Sequence, residues 1–501
     1  MSEAFPGRSQ SLGVWRFVAL CAIIFGLALR IFNLRGAELW ADEIFSVTLA
    51  ESPFIDMVLT VLRFDVHPPL YYTLLHLWGL FGSSDLWFLT SSVLLDIGAG
   101  LSLWYCVSRL YGASAGLIGL AVFAVFPMEI SFAETLRMYA LFSILIIWLW
   151  YHLEAVVEGR HSRGRMAGIA ALTVGATLCH GAGFIIVFAV VLQAGVRVLM
   201  GQGRGATVRL VLAYLPGVAA SIYPLVVGSV REAGVGLETF DLAAIGGHLT
   251  IFLLGFGFPF APWAGFAAFA VLTAVSLNDA RARLVFLRVV VLPMAILLIL
   301  SVAMQPVFLF RTLGLMSVFV VVALALGIEG AISQRILRAP LALALLLPVL
   351  FVPSALNYSV RDNKQGYREV TAAWTENSAQ DAVLLTEGTS DFWGVLRYDG
   401  FEAEHSALTV QPPVRDGMAQ LKAKLDGTLL DRLGFFGEGR FAEREGGRRV
   451  YVHVDHDYDA LAPRREIWVL TRGDTDCAKL SRTEAERFAH QNLVLLRCDP
   501  L

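Results

Sequence analysis

The chain has 501 residues, 56% of them hydrophobic and 16% charged, with a net charge of -3. A soluble protein of this size carries about a quarter charged residues, and the near-neutral balance argues against a nucleic-acid surface or a strongly acidic partner. Apolar runs near or above the ~18-residue spanning threshold recur from Phe17 to about Pro353, so the chain reads as a polytopic α-helical membrane protein.

In chain order, spans are expected at about 17–34, 86–108, 114–131, 136–156, 166–182, 183–200, 208–228, 262–278, 284–303, 310–331 and 338–355. The first is too long and too weakly bounded for a secretory signal and is read as a retained span. Two further apolar pieces, 69–82 and 243–259, are ambiguous. Short cytoplasmic loops are enriched in Lys and Arg, and this arbitrates. With the eleven spans above and a cytoplasmic N-terminus, five basic loops fall on one side: Arg109; Arg160, Arg163 and Arg165; Arg204 and Arg209; Arg281, Arg283 and Arg288; Arg335 and Arg338. A crossing at 69–82 alone moves all five outside, and one at 243–259 alone displaces the last two. Both pieces are therefore expected to lie along the outer interface.

The outer face then collects most polar residues near a membrane boundary. They are Asp42 and Glu43 in "ELWADEIFS", Asp65 and His67 in "FDVHPP", Glu134, Arg137 and Tyr139 in "SFAETLRMY", and His180, His248 and Arg311. From about Asn357 the composition changes. "YREVTAAWTENSAQ" reads as an amphipathic helix and "DAVLLTEG", "RRVYVHV", "EIWVLTRG" and "NLVLLRC" as strands, with "TEAERFAHQ" as a helix before the last. The expectation is a membrane module over 1–356 and a small outer α/β domain over 357–501. Of the five cysteines, Cys21, Cys106 and Cys179 lie in apolar segments, where packing is the default role. Cys477 and Cys498 lie in the outer domain and could pair in an oxidising compartment.

Each candidate has a bland reading beside the functional one. Asp42 and Glu43, adjacent in an extended or turn segment, point in different directions; one could act as a general base while its neighbour holds the loop, or both could be solvated interfacial charges. Pro68 and Pro69 set a helix start. His67 before them could donate to a phosphate oxygen or bind metal with Asp65. Its bland counterpart is a helix-start signal beside an aromatic belt. Glu134 and Arg137 are neighbours if their turn is helical and could simply pair; alternatively Arg137 binds phosphate while Glu134 orients an acceptor hydroxyl. Arg311 could bind phosphate or snorkel to headgroups. Asp96, inside a span, is a functional candidate by its position or, at least as readily, a protonated or hydrogen-bonded structural carboxyl near Ser91, Ser92 and Ser102. It is left out of the site. Together, carboxylates, a histidine and arginines at headgroup depth suit a lipid-linked phosphate as leaving group.

In this order, "ADE" after the first span, "HPPLYYTLLHLW", "SFAETLRMYAL", "TLCHGAGF" before a span, and Arg311 resemble the GT-C glycosyltransferases that use polyprenyl-phosphate sugars. That branch includes protein O-mannosyltransferases, the lipid A aminoarabinose transferase and bacterial galacturonic acid transferases. The resemblance covers about residues 15–320. It implies a GT-C fold with about eleven transmembrane helices plus interfacial helices in the first outer loop, and a cavity facing the periplasm. It also implies an inverting reaction in which an acceptor hydroxyl displaces polyprenyl phosphate from the sugar. Carried over by motif, Asp42 is the base or its closest partner, Glu134 the second-loop acid, and Arg137, His67 and Arg311 the phosphate contacts. Asp65, Tyr139, His180 and His248 are further cavity residues. Thr312 stands where Tyr is common in the family, which departs from the pattern at Arg311. Members differ on metal use, so a divalent ion stays open. The rival readings are a lipid-linked-sugar flippase, a glycan ligase or polymerase with a larger lipid-linked donor, and a non-catalytic scaffold. The expected location is a bacterial inner membrane.

Overall fold

The computed structural model describes residues 7–34, 38–230, 241–255, 262–303, 307–333, 366–379, 383–386, 389–398, 449–452, 467–471, 482–490 and 493–500. It divides into two compact units. The first comprises residues 1–35, 65–74 and 86–359; the second comprises 36–64, 75–85 and 360–501. The second thus takes in parts of the 36–85 segment as well as the C-terminal chain.

The first unit is a helical bundle. Its elements are α1 (Gly7–Asn33), most of α5 (Asp85–Tyr111), α6 (Ala113–Val125), α7 (Pro127–Glu134), α8 (Tyr139–Val157), α9 (Arg163–Thr177), α10 (Gly183–Gln202) and α11 (Arg204–Val230). They continue with α12 (Leu242–Leu254), α13 (Pro262–Leu277), α14 (Ala280–Val285), a π-helical turn (Phe286–Val291), α15 (Leu292–Ala303), α16 (Phe310–Gly314) and α17 (Ser317–Ser333). Among the described residues, five helices are long and apolar enough to cross a membrane: Asp85–Tyr111, Tyr139–Val157, Gly183–Gln202, Arg204–Leu225 and Ala280–Ala303. They coincide with five expected spans. The span expected at 114–131 forms the bent pair α6 and α7, which passes the same test of length and composition when the two are taken together. The spans expected at 166–182 and 262–278 form helices of 15 and 16 residues, and the one expected at 338–355 lies outside the described residues. The two ambiguous pieces are short helices: α4 (Leu70–Gly79) has 10 residues and α12 has 13. At 1.5 Å per residue they rise about 15 and 20 Å, less than the ~30 Å hydrocarbon core.

The bend between α6 and α7 measures 61° and has a chemical cause. Pro127 has no N–H to give the Phe123 carbonyl, so the end of α6 loses part of its ladder. Arg30 fills the gap: its guanidinium donates to the Ala124 carbonyl at 2.6 Å and to Gly26 O at 3.0 Å. It also pairs with Asp96 at 2.6 Å, both side chains being almost fully buried. Asp96 is therefore structural, as expected, but through an ion pair rather than through serines. A Cβ at Gly26 would lie 2.1 Å from the Ala124 carbonyl, so the close approach of α1 to α6 requires glycine there.

The second unit carries α2 (Ala41–Glu51), α3 (Phe54–Phe64), α18 (Tyr367–Asn377), α19 (Thr389–Tyr398) and the second half of α4. Its mixed five-stranded sheet has the order β2-β1-β3-β5-β4, made of β1 (Val383–Thr386), β2 (Arg449–Val452), β3 (Ile467–Thr471), β4 (Arg482–His490) and β5 (Leu493–Pro500). β1 pairs in parallel with β2 and β3, while β5 lies antiparallel to β3 and β4. The four expected strands form, but the segment expected as a helix at "TEAERFAHQ" is strand β4. It is an edge strand with a register shift between Glu484 and Glu486. Its alternating exposure and charged side chains blunt an open sheet edge. Cys498 is disulfide-bonded, while Cys21, Cys106 and Cys179 are free thiols; Cys477, its expected partner, lies outside the described residues.

Candidate active site

In the first unit the site is built on the loop that precedes α4. Pro68 and Pro69 start that helix, and the Pro69 carbonyl accepts from Thr73 N–H at 2.9 Å. Leu70 N–H, left over in the first turn, donates across to the Leu178 carbonyl at 3.2 Å. This ties "DVHPPL" to the "TLCHGAGF" loop between α9 and α10. Asp65, buried, folds back on its own segment: one carboxylate oxygen accepts from His67 N–H at 3.0 Å and the other from the Tyr72 hydroxyl. The Tyr72 oxygen in turn accepts from Arg137 at 3.3 Å. Tyr223, on α11, donates to the Asp65 carbonyl at 3.5 Å.

Two histidines meet where these loops join. The His67 and His180 rings lie 4.6 Å apart, centroid to centroid, edge to face. His67 Nδ1 accepts from Gly181 N–H at 3.3 Å, and His180 Nδ1 accepts from Ala182 N–H at 3.1 Å. An Nδ1 that accepts carries no proton, so both neutral rings hold theirs on Nε2. Burial, then the nearby cations Arg137 and Arg311, hold the His67 pKa well below the ordinary value. For His180 the causes are burial, His67, Arg137 and Arg311. His67 keeps part of its surface open although its ring sits deep in the protein. Arg137 and Arg311 thus lie near two neutral imidazoles, each offering an Nε2–H donor.

The remaining candidates surround this pair. Tyr139 opens α8, stacks on Phe132 at 4.7 Å and tilts toward His180 at 5.7 Å. Glu134, buried, is the last residue of α7. Thr135 is extended, so the helical i, i+3 relation considered for Glu134 and Arg137 does not arise. Arg311, in α16, is exposed and lies over its neighbour Phe310 at 5.7 Å. His248, half-buried on α12, tilts against the same ring at 6.2 Å.

Asp42 and Glu43 belong to the second unit. They occupy the first turn of α2 rather than an extended segment, where negative charge suits the helix dipole. Glu43 is fully buried and its Oε2 accepts from Trp40 N–H at 3.0 Å, closing the helix N-terminus. Asp42 is half-buried, and its carbonyl accepts from the Ser46 hydroxyl at 2.8 Å. The two neighbours therefore play different parts, Glu43 holding the turn that presents Asp42. In the same unit, Tyr398 accepts from Leu39 N–H at 3.0 Å just before this turn, and Arg397 bridges Asp85 and Glu51, each at 2.7 Å.

No family model and no curated protein matches the chain. Solved structures do. ArnT from Cupriavidus metallidurans in the apo state is 13% identical with a TM-score of 0.58, over 97% of this chain and 98% of that one. ArnT bound to undecaprenyl phosphate is 12% identical with a TM-score of 0.57, over 95% and 97%. The chain has the GT-C fold. The archaeal oligosaccharyltransferase AglB from Archaeoglobus fulgidus, complexed with an inhibitory peptide and a dolichol-phosphate, aligns over 76% of this chain and 63% of its own, at 14% identity and a TM-score of 0.46.

On this GT-C scaffold, His67, Arg137, His180 and Arg311 come together, with Asp65 and Tyr139 at their edge. Sequence reasoning missed Tyr72 and Tyr223. Tyr72 stands inside the "HPPLYY" motif, seven residues from the carboxylate it bonds, and that spacing was a usable signal; nothing in the sequence links Tyr223 to a loop 158 residues away. Among the described residues, no three His, Cys, Asp or Glu side chains converge as metal ligands. Asp65, a metal candidate with His67 by sequence, gives both carboxylate oxygens to hydrogen bonds within the loop.

Proposed function

We propose that this chain is an integral-membrane glycosyltransferase that moves a sugar from a polyprenyl-phosphate donor to a hydroxyl of an envelope acceptor. The acceptor classes are lipid A or core glycan, another glycan, or protein. The observation that carries the reading is the pair of neutral histidines set beside Arg137 and Arg311. Such a group offers a phosphate two cations and two Nε2–H donors. The likeness of fold to ArnT bound to undecaprenyl phosphate supports the donor class, although fold alone does not carry function.

In the proposed reaction the acceptor oxygen attacks the anomeric carbon and forms the new C–O bond. The bond from that carbon to the phosphate oxygen breaks, and its electron pair leaves with polyprenyl phosphate, inverting the configuration. Asp42 takes the hydroxyl proton as general base. Glu43 holds the Asp42 turn, and Glu134 orients the acceptor. Arg137, Arg311 and His67 hold the leaving phosphate, with Asp65, Tyr139, His180 and His248 shaping the cavity. The proposed placement is a bacterial inner membrane, with the N-terminus cytoplasmic, the catalytic face periplasmic, a membrane module over 1–356 and a periplasmic domain over 357–501.

The test compares envelope lipids and glycans by mass spectrometry in a strain lacking the gene, complemented by wild type or by Asp42→Asn at matched expression. Loss of one defined sugar mass, restored by wild type and reduced about 100-fold or more with Asp42→Asn, is the expected outcome. Full restoration by Asp42→Asn removes the base from the mechanism. A missing mass of several sugars instead of one favours the ligase or polymerase reading.

A further inference from the structure

A second polar cavity lies at the other end of the first unit. Helix α8 begins at Tyr139, beside the histidines, and fifteen residues later carries Glu154, about 22 Å away along the helix. There a cavity of about 220 Å³ opens between the ends of α5, α8 and α10 and the turn joining α14 to α15. Its walls are mixed: Trp150 and Val289 on the apolar side, Tyr111, Glu154, Arg197, Arg281 and Arg288 on the polar side.

The charges around it are matched with one exception. Arg197 forms a two-pronged pair with Glu154 at 2.5 and 2.9 Å. Arg281 pairs with Asp279 at 3.2 Å and Glu329 at 2.9 Å. Glu158, also at the rim, pairs with Arg160. Among the described residues no carboxylate lies within ion-pair distance of Arg288, so its guanidinium lines the cavity without a direct ion pair. That arginine sits inside Ala280–Ala303, an apolar helix able to cross the membrane, and a cation in such a place calls for a partner.

The backbone is irregular at the same residue. Phe286–Val291 is a π-helical turn, with Leu292 N–H reaching the Leu287 carbonyl. Such insertions are rare and concentrate at functional sites, because they re-aim a side chain within an otherwise regular helix. This one carries Arg288 to the cavity, while Leu284 and Leu287 on the same stretch are exposed as lipid-facing side chains are. A cation at the mouth of a half-apolar cavity, next to a lipid-facing surface, matches the pattern of headgroup sites between transmembrane helices.

We propose that this cavity binds a phosphate-bearing anion, contacted by Arg288 and distinct from the donor site at the opposite end of α8. The apolar wall favours a phosphate carried by an anionic phospholipid over free phosphate, and the experiment separates the two. The full-length protein, purified into phosphatidylcholine nanodiscs with and without phosphatidylglycerol, is analysed by native mass spectrometry for retained lipid. Wild type is expected to retain phosphatidylglycerol in preference to phosphatidylcholine. Arg288→Gln weakens that retention about tenfold or more, whereas Arg288→Lys and the exposed-residue control Arg209→Gln preserve it. Retention unaffected by millimolar inorganic phosphate assigns the site to the lipid; displacement by inorganic phosphate, again dependent on Arg288, assigns it to a soluble anion. Equal retention by wild type and Arg288→Gln overturns the proposal. Should Arg288→Gln fail to fold, equal retention of the two lipids by wild type, with no binding of inorganic phosphate, overturns it as well. None of these readouts involves sugar transfer, so their failure leaves the proposed reaction untouched.

Discussion

Two arginine clusters in the first unit show opposite ways of placing a cation inside a membrane bundle. Arg30 is matched on the spot: Asp96 balances its charge and the end of α6 takes its remaining donors. Around His67 and His180 two cations, Arg137 and Arg311, stand near imidazoles held neutral. Burial first, and then Arg137 and Arg311, push both imidazoles toward neutrality, and backbone N–H groups fix which nitrogen keeps the proton. The first arrangement completes a broken helix and has no charge to offer a ligand. The second has the cations and the donors that an anion needs.

Breaking the first cluster is expected to be the costlier change for folding. Arg30→Ala leaves Asp96 buried without its cation, a loss of about 3–5 kcal/mol, read as a fall in thermal unfolding temperature in detergent. The pair exchange Arg30→Met with Asp96→Leu recovers much of that loss, because the uncompensated charge goes with it.

Gly181→Ala sharpens the comparison at the second cluster. A Cβ there meets the Val66 carbonyl at 2.6 Å, so the loop holding His67 must shift while no charge changes. Transfer is expected to fall about tenfold to 100-fold, with the unfolding temperature within a few degrees of wild type. A variant with unaltered kinetics breaks the link between that loop and the reaction.

The smallest effect expected is on pH. The folded pKa values of His67 and His180 lie below the ordinary value of 6.5, so the unfolded chain takes up protons first as pH falls. Stability from this pair is complete above about pH 6.5 and is lost as pH drops below it toward the folded values. Unfolding midpoints measured from pH 8 to pH 5 should decline in wild type, and less in His67→Gln with His180→Gln.

How much of this was legible in the sequence depends on the range of the contact. Pro68 and Pro69 announced the start of α4, and the consecutive apolar residues of "EIWVLTRG" announced β3, because both signals are local. Charge placement kept 69–82 and 243–259 out of the spans, and both are short helices. β4 was misread because Glu, Arg and Ala favour helix in isolation, whereas its place on the sheet edge is set by pairing with β5. The tautomer of His67 was out of reach, since Gly181 N–H comes from 114 residues away. The adjacency of Asp42 and Glu43 suggested that one of them holds the loop; that it is Glu43, closing the α2 N-terminus, appears only with the helix.

The central claim is that the Arg137 cluster holds a lipid-linked phosphate, and direct binding tests it most simply. Purified wild type, Arg137→Ala and a distant control, Arg209→Gln, would be titrated with undecaprenyl phosphate in the same detergent. The account predicts binding by wild type and the control, weakened about tenfold or more in Arg137→Ala with its unfolding temperature maintained. Equal affinity in all three proteins would contradict it.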